Sequence, residues 1–132
     1  MNSKSGLVGV LVLVLAWSNA IADSIEHYCA NIVGDSYALM ETCISQERQA
    51  RRNVASETTE PRIANYCRGI VGDSYSLLET CIEHEEQAKA NIAGTSVSMR
   101  VLNYCKSIVG ESYSLLETCI QQELGAKSRL GY

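Results

Sequence analysis

Apolar side chains in the middle of the chain recur at intervals of three and four residues, which is the spacing of one face of an α-helix. The first such run is Ile63, Tyr66, Cys67, Ile70 and Val71. Pro61 stands just before it, where proline fits the first turn of a helix because its missing N–H is not needed there. The pattern does not alternate as a β-strand would, so it predicts a helix that begins near Pro61.

A turn signal follows this helix and leads into a second one. Gly72 can adopt the positive φ that ends a helix, and Asp73 or Ser74 can cap the next helix by accepting its free amide protons. A second apolar stripe then runs through Tyr75, Leu78, Ile82 and Ala88 or Ile92. Gly94 is expected to end this helix, so the segment is predicted to be a helical hairpin.

The hairpin pattern occurs three times at one constant offset along the chain. The aligned segments begin at His27, Asn65 and Asn103 and need no gap. From the tyrosine to the last glutamate of each segment, 13 of 20 positions are identical in all three copies. Such identity at a fixed period marks an internal repeat. The predicted units are a signal peptide over residues 1–22 and hairpins over 23–60, 61–98 and 99–132.

Each copy carries one cysteine on each predicted helix. In the second copy Cys67 lies five residues before Gly72, and Cys81 lies seven residues after Ser74. Because a helix rises about 1.5 Å per residue, these positions stand at similar heights above the turn of an antiparallel hairpin, and a disulfide is within reach. The predicted pairs are Cys29–Cys43, Cys67–Cys81 and Cys105–Cys119.

Other states of the six cysteines are open at this point. Six cysteines allow 15 pairings, and bridges between neighbouring hairpins are the main alternative. Reduced thiols or zinc ligands are another, although the chain has no closely spaced cysteine pair of the zinc type. A bridge within a hairpin closes a loop of about 15 residues, which stabilises a fold by about 3 kcal/mol.

Adjacent leucines in the second helix favour a stacked, solenoid-like array over independent beads. Leu77 and Leu78 point about 100° apart on a helix, so one partner helix leaves one of them uncovered. A neighbouring hairpin would cover it, as in helical-repeat solenoids. The predicted linkers, Arg52 to Glu60 and Thr95 to Met99, are short and allow either arrangement. The predicted fold is all-α, with three tandem disulfide-closed hairpins that stack.

The N-terminal segment, residues 1–22, has the pattern of a secretory signal peptide. Lys4 gives a positive start, residues 7–16 are almost entirely apolar, and Ala20-Ile21-Ala22 has the small-x-small form of a cleavage site. Cleavage after Ala22 is expected to place the protein in the periplasm or outside the cell. An uncleaved anchor is the alternative, but its strongly apolar part is short for a membrane span.

The charge balance argues against two classes of partner. The chain has 15 acidic and 11 basic residues and a net charge of −4. Binding of nucleic acid needs a basic face against phosphates, and attraction to anionic lipids needs a basic cluster. We therefore expect no nucleic-acid partner, and no membrane partner after signal cleavage.

Two glutamate positions recur in every copy. Glu47, Glu85 and Glu123 are each followed four residues later by a basic residue, and we expect exposed helical ion pairs there. The other position, just before the second cysteine, is occupied by Glu41, Glu79 and Glu117. These three carboxylates are expected either to orient a side chain of the first helix or to form a row of acidic ligand contacts.

No catalytic, cofactor or metal signature stands out. The serines lack a nucleophile elbow and a His-Asp pair to activate them, and no glycine-rich phosphate loop is present. His84 stands among glutamates, but consecutive helical residues point in different directions, so no metal site is expected. Paired tyrosines in each copy are expected to be core residues with surface hydroxyls. They are Tyr28, Tyr37, Tyr66, Tyr75, Tyr104 and Tyr113.

The repeated residues also carry a family resemblance. The pattern YC…IVG-D-SY…LLETCI…E resembles small exported bacterial proteins with a Gly-Asp-Ser-Tyr turn between two cysteine-bearing helices. The resemblance covers nearly the whole mature chain and implies the fold and an exported location, without implying an activity. In architecture the chain is also similar to tetratricopeptide-like repeats, but it lacks their characteristic period and their Trp/Leu-Gly/Tyr pattern.

The sequence therefore predicts a non-enzymatic, cofactor-free, exported helical-repeat protein that acts as a protein-binding or scaffold module. Helical repeats present extended surfaces and three copies allow multivalent contact, so another envelope or extracellular protein is the expected partner. Two alternatives stay open. One is a structural or envelope-stress protein without a specific ligand, and the other is a small enzyme inhibitor or hydrolase.

The processing of the N-terminus is directly testable. Intact mass spectrometry of the exported protein is expected to give the mass of a chain that starts at Asp23, because the residues before it match a signal-peptidase site. Recovery of the full-length chain from the membrane fraction would instead identify the segment as an anchor.

Overall fold

The computed structural model describes residues 24–132, and this part of the chain is built from six α-helices joined by short turns. The predicted signal peptide lies outside the described residues. Helix α1 covers residues 24–33. The others are α2 (Tyr37–Ser56), α3 (Pro61–Val71), α4 (Tyr75–Ala93), α5 (Met99–Val109) and α6 (Tyr113–Arg129). The prediction of an all-α fold is confirmed.

Serine side chains begin the second helix of every hairpin. Ser36, Ser74 and Ser112 each accept a hydrogen bond from the backbone N–H three residues later. Such a cap satisfies one of the amides that the first helical turn leaves free. Of the two capping residues that the sequence offered in the second hairpin, Ser74 is the one used, and Asp73 stays exposed in the turn.

A glycine at the end of each first helix makes the tight turn. Gly34, Gly72 and Gly110 have φ angles of 63°, 65° and 68°. Residues with a Cβ are strained at such a φ, so the prediction that Gly72 ends its helix is confirmed. Its ψ of −134° lies outside the left-handed helical region, so the turn departs from the usual glycine cap of a helix.

Each hairpin is closed by its own disulfide, as predicted. The Cα–Cα distances are 5.8 Å for Cys29–Cys43 and 5.7 Å for both Cys67–Cys81 and Cys105–Cys119. The first cysteine of each pair is completely buried. In the middle hairpin the core around Cys67 consists of Ile63, Leu78 and Ile82. The alternative of bridges between hairpins is therefore wrong.

The first hairpin has a longer second helix than the sequence pattern indicated. The predicted linker from Arg52 to Glu60 is wrong in its first half, because α2 continues to Ser56 and residues 57–60 alone connect it to α3. Ala50 is buried, and Val54 packs against the core of the second hairpin. The contacts that hold the helix therefore continue past Arg52.

The second helices of the three hairpins pack directly against one another. Helix α4 contacts both α2 and α6, whereas α3 and α5 pack on the second helix of their own hairpin. The hairpins therefore form one stacked array, and the alternative of independent beads is wrong.

Neighbouring hairpins are staggered along the axes of these long helices. Glu47, in the middle of α2, bonds the first turn of α4, and Asn53 near the end of α2 bonds Glu79. The helices thus run parallel, each shifted by about 12 residues, or roughly 18 Å, relative to the one before. The C-terminal half of one second helix lies against the N-terminal half of the next. This explains why the second helices have 17 to 20 residues whereas α3 and α5 have 11.

Stacking does not bury the leucines that were expected to require it. Leu78 and Leu116 are buried, whereas Leu77 and Leu115 remain 53% and 52% exposed. The neighbouring second helix contacts the side of α4 that carries Tyr75 and Glu79. The expectation that a neighbouring hairpin covers the leucine that the hairpin's own partner helix leaves exposed is therefore wrong, although the stacking itself is confirmed.

The adjacent leucines of α4 provide a matched pair of variants. Leu78→Ala is expected to lower the free energy of unfolding by about 2–5 kcal/mol, because it removes methyl groups from the core around Cys67. Leu77→Ala is expected to change it by about 0.5 kcal/mol or less, because that side chain already faces water. Urea unfolding followed by circular dichroism measures both. Equal losses for the two variants would contradict the packing described here.

Candidate functional site

A buried carboxylate at the first junction caps the second helix of the next hairpin. Glu47 of α2 is only 4% exposed and accepts hydrogen bonds from the Ser74 hydroxyl at 3.1 Å and the Tyr75 amide at 2.6 Å. The Ser76 amide lies 3.4 Å from both carboxylate oxygens. Glu47 therefore binds the amides that the first turn of α4 leaves without a helical partner.

The second junction has the same arrangement. Glu85 is 4% exposed and accepts hydrogen bonds from the Ser112 hydroxyl at 2.9 Å and from the amides of Tyr113 and Ser114 at 2.5 and 3.3 Å. The helix dipole puts partial positive charge at the start of α6, so a carboxylate is favoured there. Charge-assisted hydrogen bonds of this kind are stronger than those between neutral groups.

The prediction that these glutamates form exposed ion pairs with the basic residue four positions later is wrong. Both are buried against the next hairpin, and Lys89, the expected partner of Glu85, bonds Glu60 at 2.5 Å instead. The hydrogen bond that Lys89 donates to the Glu60 carboxylate raises the pKa of Lys89 above its ordinary value. The four-residue spacing describes local contacts, whereas the groups that bind Glu47 lie 27 to 29 positions away along the chain.

The recurrent glutamates before the second cysteine lie at the same junctions. Glu79 accepts a hydrogen bond from Asn53 Nδ2 at 2.6 Å, and Glu117 accepts one from Asn91 Nδ2 at 2.8 Å. Both donors belong to the second helix of the preceding hairpin, not to a first helix as expected. Glu41 stands in the first described hairpin and is exposed. That these three glutamates form a row of ligand contacts remains a prediction.

Three exposed apolar spots lie at the turns of the hairpins. Each consists of an isoleucine near the end of the first helix and a leucine near the start of the second. The pairs are Ile32 with Leu39, Ile70 with Leu77, and Ile108 with Leu115. The isoleucines are 59–60% exposed and the leucines 52–56% exposed. Because the values hardly differ between copies, the exposure is a property of the repeat and not of one local deviation.

The disulfide brings the two residues of a spot to the same end of the hairpin. Ile70 follows Cys67 by three residues and Leu77 precedes Cys81 by four, so each lies on the side of its helix that carries the bridged cysteine. An exposed acidic residue stands in the turn between them in every copy. These residues are Asp35, Asp73 and Glu111.

The apolar periodicity alone did not reveal the spots. It predicted Ile70 as a core residue, which is wrong, because Ile70 lies beyond the core at the turn end of the hairpin and is 60% exposed. The signal that marks the spots is their recurrence. An isoleucine and a leucine flank the Val-Gly-acidic-Ser turn in all three copies, within two or three residues of the glycine or the capping serine.

The six repeated tyrosines differ in exposure. Tyr37 is 91% exposed and Tyr104 is 52% exposed, so the prediction of core tyrosines is wrong for these two. Tyr75 and Tyr113 occupy the position of Tyr37 in later copies and are half-buried at the junctions. The charged groups of Arg62 and Lys89 lie 5.1 and 5.8 Å from the centre of the Tyr113 ring, within the range of cation–π attraction.

Three carboxylates gather where α2 ends against α4. Oxygens of Glu57, Glu79 and Glu83 lie within 4.8 Å of one another. Desolvation, followed by the negative charge of neighbouring glutamates, raises the pKa of the Glu57 carboxyl above its ordinary value. Exposed acidic groups commonly gather in this way without an ion, so the cluster defines no metal site.

No protein-family model matches the chain. Comparison with curated proteins gives no significant match. Comparison with solved structures gives none either. The resemblance to small exported bacterial proteins therefore stays a prediction, and the function has to be inferred from the geometry of this chain.

Replacement of one junction carboxylate tests its structural role. Glu85→Gln is expected to lower the free energy of unfolding by about 1–3 kcal/mol, because the new amide turns donor hydrogens toward the donors of α6. The matched control is Glu123→Gln, at the equivalent position of the last hairpin, where no further described helix follows. Its expected change is about 0.5 kcal/mol or less.

Urea unfolding at low protein concentration measures both variants. If Glu123→Gln costs as much stability as Glu85→Gln, the loss has a cause other than the capping contact.

Proposed function

We propose that this chain is a non-enzymatic, exported helical-repeat protein that binds a protein partner through its three apolar spots. The observation that carries the proposal is the repeated exposure of Ile and Leu side chains at equivalent positions of every hairpin. Exposed apolar residues that recur on a defined surface are typical of interaction sites. In the second and third hairpins the spots do not hold the fold together, since the exposed Leu77 and Leu115 stand next to Leu78 and Leu116, which are buried in the core.

The stagger of the hairpins sets the spacing of the spots. A shift of roughly 18 Å along the helix axis, combined with the usual 8–10 Å between packed helices, separates successive spots by roughly 20 Å. The protein would therefore present three similar, separate contacts instead of one continuous groove. A partner with a repeated or extended binding surface gains avidity from such an arrangement without any new type of contact.

The residues around the spots favour a particular chemistry in the partner. An acidic side chain stands in the turn of every spot, so basic residues beside an apolar anchor would be complementary in charge. An amphipathic helix with one apolar stripe and basic flanks has both properties. We therefore propose another envelope or extracellular protein as the partner, and neither nucleic acid nor lipid.

The three disulfides support a location outside the reducing cytoplasm. Disulfides persist in the periplasm and outside the cell, whereas the cytosol keeps thiols reduced. No helix within residues 24–132 is long and apolar enough to cross a lipid bilayer. Together with the signal-like N-terminus of the sequence, the bonds support the proposal that the protein acts in the periplasm or beyond it.

Stepwise removal of the spots tests the proposal. A partner is first captured from envelope extract with the exported protein, and its affinity is then measured with Leu39→Ser, with Leu39→Ser plus Leu77→Ser, and with all three leucines replaced. Each step is expected to weaken binding roughly 10- to 100-fold, as loss of a buried Leu costs about 1.5–3 kcal/mol. The variants should keep the circular dichroism and the melting temperature of the wild type.

Met99→Ser is the matched control. Met99 is 66% exposed and apolar but lies at the start of α5, away from the turns, so its replacement is expected to leave affinity unchanged. If the triple variant binds as tightly as the wild type, the spots are not the binding site. If no stoichiometric partner is captured at all, the alternative of a structural protein without a specific ligand is favoured.

A further inference from the structure

Two internal junctions join the second helices of neighbouring hairpins, α2 to α4 and α4 to α6. Each end of the described array exposes a surface equivalent to one side of such a junction. We call the N-terminal end the head face; it consists of Ser36, Tyr37, Met40, Glu41 and Ile44, all on α2 or its cap. We call the C-terminal end the tail face; it consists of Glu123, Ala126, Arg129 and Leu130, on α6 or its cap. Helical-repeat proteins normally close their ends with polar capping surfaces, and these two faces are not of that kind.

The residues of the tail face are equivalent to residues that contact the following hairpin at the internal junctions. In the second hairpin the equivalents are Glu85 and Ala88, which are buried, and Ile92, which packs against the core of the third hairpin. At the tail face Leu130 takes the position of Ile92 and is 72% exposed. Glu123, Ala126 and Leu130 line one shallow concave surface together.

The residues of the head face are equivalent to those that contact the preceding hairpin at the internal junctions. Tyr37 is 91% exposed, whereas Tyr75 at the same position in the next hairpin is half-buried. Ile44 is half-buried, whereas its equivalent Ile82 is completely buried. Ser36 already caps α2 through Leu39, as Ser74 caps α4, so the helix start has the same local geometry as at an occupied junction.

One pair of residues makes the two faces complementary in charge. At the internal junctions Asn53 and Asn91 donate a hydrogen bond to a glutamate of the next hairpin. At the tail face Arg129 stands in place of these asparagines, and at the head face the glutamate is Glu41. A guanidinium facing a carboxylate attracts at longer range than an amide does, which suits a contact between separate molecules.

We propose that a second copy of this chain binds head to tail, so that the internal junction is reproduced between molecules. Glu123 of one copy accepts hydrogen bonds from the Ser36 hydroxyl and the Tyr37 and Ala38 amides of the next. Arg129 pairs with Glu41. Leu130 covers Met40 and Ile44, as Val54 and Ile92 cover the cores inside the chain.

Because the two faces differ, the contact is heterologous and can continue from copy to copy. Every added molecule extends the staggered row of second helices and exposes another tail face. The apolar spots lie at the turns and take no part, so this inference stands or falls independently of the proposed function.

Charge reversal tests the head-to-tail contact. Sedimentation velocity of the exported wild-type chain is expected to show a weight-average mass that rises with protein concentration. Glu41→Arg and Arg129→Glu each place like charges together, and each alone is expected to weaken association at least about tenfold. An equimolar mixture of the two variants restores an opposite-charge pair at every junction, so it is expected to regain the mass distribution of the wild type.

Glu111→Arg is the control, because it makes the same charge change at an exposed turn position outside both faces. It is expected to associate like the wild type, and all variants should melt at the wild-type temperature. The proposal is overturned if the wild type stays monomeric at every concentration. It is also overturned if the mixture associates no more than its separate components.

Discussion

The carboxylate that enters the first turn of the following second helix is the contact on which the array depends. A single hairpin of this repeat is too small to bury a sufficient core by itself. A buried charge such as that of Glu47 is costly unless hydrogen bonds satisfy it, and here a serine hydroxyl and two backbone amides do so. Since Glu47 can meet those amides at one height only, the contact also fixes where α4 begins beside α2.

The exposed features of the protein follow from that stagger. Because of the shift of roughly 18 Å, a second helix uses its N-terminal half to pack against the preceding second helix and its C-terminal half to pack against the following one. Inside the array both halves are covered, but at the head face and the tail face one half of each terminal helix has no neighbouring helix within residues 24–132. The same shift moves the turns apart, so the apolar spots are separate surfaces and do not merge into one groove.

Local features of the fold could be predicted from the sequence, and long-range ones could not. The disulfide register follows from the distance of each cysteine to Gly72 or Ser74, because helix geometry converts that spacing into height. The role of Glu85 depends on amides of the next hairpin, and Lys89 four residues later offered a local explanation that is wrong. The pattern could not show which of Leu77 and Leu78 faces the core, because adjacent leucines satisfy the same periodicity.

Amide hydrogen exchange compares the three copies of the helix start within one molecule. In a sample diluted until the chain is monomeric, the Tyr75 and Tyr113 amides, which donate to Glu47 and Glu85, are expected to exchange at least about 100-fold more slowly than the amide of Tyr37. The sequence around all three is nearly the same, so the difference isolates the junction carboxylate. Equal, fast exchange at the three tyrosines would contradict the account, because it would mean that the carboxylates do not hold the hairpins together.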